Sequence, residues 1–202
     1  MSGAPRGWKP GTPLVLHTER FILRSMTRLQ ACLATYPWTF DAEVMHPLGY
    51  PAGTWSRYSW YKRLKRYNNR QKFFLAIYPK GSREMIGYES FDVTSWGVAS
   101  LAVAIGNRDW WGRGVVQETR HAVIDFLFDE VGCHRVWGMP TARNFSSIFN
   151  YQALGFTHEG VLRQQNFDHA TQGLVDSVIF GLLRDEWLAR RKAAIRPGSA
   201  KN

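Results

Sequence analysis

The chain has only two cysteines, Cys32 and Cys133, each among apolar neighbours. That is too few for a disulfide framework. The plain reading is a pair of reduced, buried thiols in a cytoplasmic protein, with a single bridge as the lesser reading. No run of about 18 apolar residues is present, so neither a membrane-spanning helix nor a membrane partner is expected. Residues 1–11 are polar and rich in Pro and Gly, without the apolar core of a secretion signal. The histidines are scattered, and neither they nor the cysteines have the spacing of a metal site, so no metal is expected. No Ser-His-Asp or Cys-His arrangement suggests a hydrolase. Both common phosphate signatures are missing. G-x-x-x-x-G-K-[ST] is absent, and G-x-G-x-x-G fails because Gln117 stands where its third glycine belongs. Acidic residues are scarce, 16 against 26 basic ones, for a net charge of +10. That balance favours an acidic partner, whether nucleic acid, a ribonucleoprotein surface or a polyanionic small molecule.

At 202 residues, 45% hydrophobic and 14% aromatic, the chain suits one globular domain with a sizeable core. Its most informative stretch is residues 107–114, Asn-Arg-Asp-Trp-Trp-Gly-Arg-Gly. An alternating apolar run ends just before it at Leu101, Val103 and Ile105. A helical pattern follows through Val115, Val116, Thr119, Ala122, Val123, Phe126 and Leu127. This reads as strand, tight turn and helix start. Such a turn leaves backbone N–H groups unpaired at the positive end of a helix dipole, which favours an anion such as a diphosphate. Gly112 and Gly114 let that anion approach the backbone. By itself the pattern equally describes an ordinary strand-to-helix turn.

Further on come Asn144-Phe-Ser-Ser147, Tyr151 and Leu154-Gly-Phe156. The ordered set W-G-x-G, then N-x-x-S-x-x-x-Y-x-x-x-G-F, resembles the GCN5-related N-acetyltransferase (GNAT) superfamily. Thr18-Glu-Arg20-Phe-Ile-Leu-Arg24, Glu159-Gly-Val-Leu-Arg163 and Leu183-Arg-Asp-Glu-Trp187 are similar to the ribosomal-protein N-terminal acetyltransferase (RimJ/RimL-like) branch. The resemblance spans roughly residues 14–190. It implies a single-domain α/β fold with a mixed, mostly antiparallel sheet flanked by helices. A flexible leader at 1–13 and a basic flexible tail at 191–202 would flank that domain.

The rest of the chain agrees with such a sheet. Strands are expected at 14–16, 21–26, 73–78, 85–93, 99–105, 134–139, 156–166 and 174–182. Helices are expected from a Thr27 cap to 35, from a Thr54 cap over 55–68, over 114–131, from Asn144 to Leu154 and over 185–193. Residues 40–52 read as irregular. The 55–68 segment interleaves basic and aromatic residues, a pattern that can bind single-stranded nucleic acid. A helix with its aromatic face on the sheet and its basic face in water is the preferred reading. Arg120 and His121 read as surface or boundary residues of the central helix.

The resemblance implies acetyl-CoA as co-substrate and transfer of acetyl to a primary amine by direct attack in a ternary complex. The diphosphate would be held by the backbone of Trp111, Gly112, Arg113, Gly114 and Val115, with help from the Arg113 charge and from Arg108. Asp109, where the family shows Gln or Arg, would cap the following helix. The strand carrying Val103 and Ile105 would bulge and pair with the pantetheine arm. Asn144 would bond the pantetheine amides, although Asn at this place is also a good helix cap. Tyr151 and Ser147 lie one helical turn apart and are the proton-donor candidates. Tyr151 ranks first because a phenol, with a pKa of about 10, is the stronger acid.

No carboxylate stands near the start of the strand at 99–105, where the family often has a general base. Glu89, Asp92, Glu159, Asp168, His169 and Asp176 are the remaining candidates. The acceptor would be a protein N-terminus, a polyamine or another small-molecule amine such as an antibiotic. The basic chain tilts this toward a protein N-terminal α-amine. A scaffold that only docks on RNA or the ribosome is the rival reading, and a homodimer is left open.

Overall fold

The computed structural model describes residues 7–194. Its framework is an eight-stranded sheet in the order β1-β2-β3-β4-β5-β6-β8-β7. The strands are β1 (Val15–His17), β2 (Phe21–Ser25), β3 (Lys72–Pro79), β4 (Gly87–Val93), β5 (Val98–Ile105), β6 (Arg135–Gly138), β7 (Thr157–Asp168) and β8 (Gly173–Leu183). All neighbours pair antiparallel except β5 and β6. The protein is thus one α/β domain with a mixed, mostly antiparallel sheet.

Period-2 patterning sorts β5 between two cores. Ala99, Leu101, Val103 and Ile105 join the large core beneath α4 (Val115–Asp129), α5 (Phe145–Ala153) and α6 (Arg184–Ala194). Ala104 faces the smaller core under α1 (Arg28–Thr35), α2 (Ala42–Met45) and α3 (Arg57–Arg63). That alternation is what a sheet covered on both faces requires.

Thr27 caps α1 as expected, in a capping box with Gln30. The Thr54 cap is not formed. Thr54 spends its hydroxyl on the Pro51 carbonyl, and Ser56 caps α3. That helix stops short of residue 68, because the Asn68 carboxamide accepts from the N–H groups of Arg70, Gln71 and Lys72 and turns the chain into β3. Its Trp60 is buried and Trp55 and Tyr61 pack on the small core, so the aromatic face lies on the protein as expected. The stretch read as irregular contains α2, capped by Asp41 and too short to show a helical period. Trp8, in the expected leader, packs edge-on against Phe126 at 5.2 Å. The leader's residues 1–6 and the tail's residues 195–202 lie outside the described residues, while 191–194 complete α6.

Candidate active site

β5 and β6 pair only from Val98 to Ser100, opposite Arg135 to Trp137. β6 then ends at Gly138, before Met139 and Pro140, and β5 runs on to Ile105 against β4. Two parallel strands that part in this way expose one edge of β5. The cavity there has a volume of about 900 Å³ and is lined by Leu101–Ile105, the turn before α4, Met139 and the first turns of α5. On the opposite face of the sheet it reaches Glu43, Val44 and Leu48. The Leu101 and Ile105 carbonyls both point into this gap, to the Tyr151 hydroxyl and the Trp111 indole respectively. Alternation turns the backbone of Val103 the same way. The expected bulge is absent: β4 and β5 pair without a register break from Gly87↔Ile105 to Val93↔Ala99. The gap comes from the early end of β6 instead.

At the far end of the gap the chain turns through Gly112 and Gly114, each at φ 71°. Gly114 caps α4 with no side-chain bond. Among the described residues the backbone N–H groups from Gly112 through Gln117 donate to no protein acceptor. They form a cluster of free donors on the positive end of the α4 dipole. Arg113 lies 5.8 Å from the Trp110 ring and has no carboxylate partner among the described residues. Arg20 bonds the Arg113 carbonyl and, with Thr18, the Glu118 carboxylate, which fastens the β1–β2 turn to the start of α4. Two expectations fail here. Arg108 is engaged by Asp41 at 2.7 Å and Glu43 at 2.5 Å, with its guanidinium 5.5 Å from the centre of the Trp111 ring. Asp109 is exposed in its own 3-10 turn and does not cap α4. Trp111 is a brace as well as a lining residue. Its indole N–H donates to the Ile105 carbonyl at 2.8 Å and uses one of that oxygen's two lone pairs.

Asn144 caps α5 by accepting from the Ser147 N–H at 3.0 Å, while its amide donates to the Pro47 carbonyl across the cavity. Ser147 is half-buried on the cavity wall. One turn on, Tyr151 is 3% exposed. Its ring stacks on Phe180 at 5.3 Å and meets the Phe156 edge at 4.9 Å. Its hydroxyl donates to the Leu101 carbonyl at 3.3 Å, where β5 and β6 part. Burial raises the Tyr151 pKa, and the nearby Arg120 charge opposes that rise.

Two residues here escaped the sequence reading. Gly138 is one, although an isolated Gly in a strand signals close approach. Arg120 is the other. It is 1% exposed, not a surface residue, because Glu89 on β4 supplies a counter-charge inside the core. His121 beside it is exposed as expected. Burial pushes the Glu89 carboxyl up to about 7, against the pull of Arg120.

The other candidate bases are engaged elsewhere. Asp92 pairs with Arg66 and Lys72, and Glu159 with Arg135. Asp176 accepts from the Gln164 N–H, and Asp168 organises the β7–β8 turn. His169 sits 6.0 Å from the His46 ring.

A parted parallel strand pair with free amides at one end and a buried tyrosine at the other is a distinctive arrangement, and residues 20–157 match the acetyltransferase (GNAT) domain family. The chain belongs to the GNAT acetyltransferase family. It is an acetyltransferase, and the acyl donor of its family is acetyl-CoA. Among curated proteins it is 27% identical to the uncharacterized N-acetyltransferase p20 of Bacillus licheniformis, over 85% of this chain and 97% of that one. Its fold is similar to Mycobacterium smegmatis RimJ in complex with CoA-disulfide, with TM-score 0.74 and 18% identity over 94% of this chain and 98% of that one. It is also similar to spermidine N-acetyltransferase from Vibrio cholerae in complex with CoA and spermine, with TM-score 0.75 and 14% identity over 84% of this chain and 98% of that one. At these identities the likeness to the solved structures is one of fold. The GNAT residues fit an acyl-CoA: free amides and a cation suit a diphosphate, and the exposed β5 edge suits an amide-bearing arm.

Proposed function

We propose that this GNAT protein transfers acetyl from acetyl-CoA to a protein N-terminal α-amine by direct attack in a ternary complex. The observation that carries the reading is the Tyr151 hydroxyl, buried at the apex of the gap on the Leu101 carbonyl. The amides of Gly112, Arg113, Gly114 and Val115, with the Arg113 charge, hold the diphosphate; the Trp111 N–H, expected among them, is spent on the Arg108 carbonyl, and Trp111 lines the site instead. Val103 offers its backbone to the pantetheine arm, joined by Ile105. The Asn144 side chain reaches the same arm from the α5 cap. The thioester supplies an activated acyl group. Tyr151 donates a proton to the sulfur as it leaves, with Ser147, one turn earlier and nearer the surface, as the second donor.

The acceptor side supports an α-amine. Among the described residues its one lining carboxylate, Glu43, shares Arg108 with the neighbouring Asp41, so this cluster offers a polycation a single net negative charge. An α-amine has a pKa of about 7.7–8.0 and is partly neutral at pH 7 without a dedicated base. That matches a cavity lined, among the described residues, by a single carboxylate, Glu43. The likeness to RimJ favours the ribosomal-protein branch, and the likeness to the spermidine enzyme keeps a small-molecule amine as the alternative.

The test is thiol release from acetyl-CoA in the presence of a mixture of short peptides with free N-termini, with spermidine in parallel. Turnover with peptides, slowed about 10²- to 10⁴-fold in Tyr151→Phe, is expected. Turnover with spermidine alone would sink the α-amine reading.

A further inference from the structure

The buried pair behind the cavity has no place in that scheme so far. Arg120 is 1% exposed and Glu89 is fully buried. A single guanidinium nitrogen, Nη2, reaches the Glu89 carboxylate, at 3.5 Å, and Thr119 donates to the other carboxylate oxygen at 3.1 Å. Nε and Nη1 of Arg120 are buried with no hydrogen-bond partner. A pair kept for stability would satisfy these groups, since an unmet buried donor costs about 1–3 kcal/mol and an apolar pair of similar volume often serves as well. The guanidinium carbon instead lies 5.0 Å from the centre of the Tyr151 ring, and Arg120 borders the cavity. The titratable groups facing it are Glu89 from β4 and Tyr151 from α5.

We propose that Arg120 is a positioning residue for proton transfer, its buried charge, anchored by Glu89, steadying the phenolate that Tyr151 becomes when it gives up its proton. The inference rests on the reading of Tyr151 as proton donor. In that step the amine nitrogen bonds to the acyl carbon, and the C–S bond breaks with its electron pair going to sulfur. The Tyr151 O–H proton moves to that sulfur. The proton shed by the amine returns to the phenolate through solvent, so charge and protons balance. A phenolate buried against Phe156 and Phe180 would be costly without a nearby cation. A cation over the ring face attracts it directly, and partially unmet N–H groups keep that cation's charge undivided. Glu89 holds the guanidinium in place without saturating it.

The experiment compares wild type, Tyr151→Phe, Arg120→Lys and the paired apolar variant Arg120→Met with Glu89→Leu. The assay is thiol release from acetyl-CoA with the peptide mixture, and calorimetry with CoA follows binding. The paired variant is expected to melt at or above the wild-type temperature and to bind CoA as wild type does. Its kcat should fall about 10- to 100-fold, with KM for acetyl-CoA unchanged. Arg120→Lys, which keeps the charge, should recover part of the rate. A paired variant with wild-type kcat, beside a slow Tyr151→Phe, would overturn the inference and leave the Tyr151 reading standing. A Tyr151→Phe protein at full speed would remove the reading and the inference together. Should the paired variant not fold, Arg120→Lys against Arg120→Gln asks the same question, and equal kcat values would overturn the proposal.

Discussion

A Cβ on Gly138 would lie 1.8 Å from the Tyr151 hydroxyl oxygen. The last residue of β6 therefore has to be glycine for the phenol to reach the Leu101 carbonyl. The same residue ends β6, one position past its last pairing with β5, and makes room for the Tyr151 hydroxyl. A single position thus links the end of a strand, the docking of α5 and the place of the Tyr151 hydroxyl in the gap.

Gly138→Ala should expel the Tyr151 ring from its slot between Phe156 and Phe180. Overpacking of this kind costs about 1–3 kcal/mol, and a donor displaced by about 1 Å can lose some 100-fold in rate. Thermal melting and peptide acetylation would read both effects. Wild-type kcat in Gly138→Ala would mean that the hydroxyl position does not matter.

Glu118 ties the β1–β2 turn to the first turn of α4, accepting from Thr18 Oγ1 at 2.6 Å, Arg20 N at 2.7 Å and Arg20 Nε at 2.6 Å. Burial alone would raise its pKa; these bonds outweigh burial and hold the carboxyl below its ordinary value. A depressed carboxyl stabilises the fold above its unfolded pKa, about 4.3, and that stability is lost as pH falls through the lower folded value. Glu118→Gln should therefore be less stable at pH 7 by about 1–3 kcal/mol. The gap between the two proteins should narrow steadily as pH drops below about 4.3. Urea unfolding at several pH values tests this, and a pH-independent difference would contradict it.

The parts legible in the sequence are those carried by local periodicity. The strand at Leu101, Val103 and Ile105, the glycine turn, and the α5 helix with Asn144 at its cap each rest on neighbours in the chain. Their meeting in one cavity followed from the order of the motifs. Relationships made across the fold were hidden. Arg120 looks like a surface residue until β4 brings Glu89 beneath it. Arg108 looks like a phosphate ligand until α2 brings Asp41 and Glu43 to it. The opening beside β5 depends on where β6 stops, and no residue of β5 records that. Gly138 carried a readable signal, but its reason sits in another element.

The proposed chemistry depends first on acetyl-CoA binding at the α4 turn. Titration calorimetry of acetyl-CoA into the protein, with Gly112→Glu beside it, tests that directly. Gly112 lies at φ 71° with open space around it, so a glutamate there adds backbone strain at an exposed turn and sets a carboxylate against the free amides. Micromolar binding by the wild type, lost in Gly112→Glu while the fold persists, is the predicted result. No binding by the wild type, or equal binding by both, would contradict it.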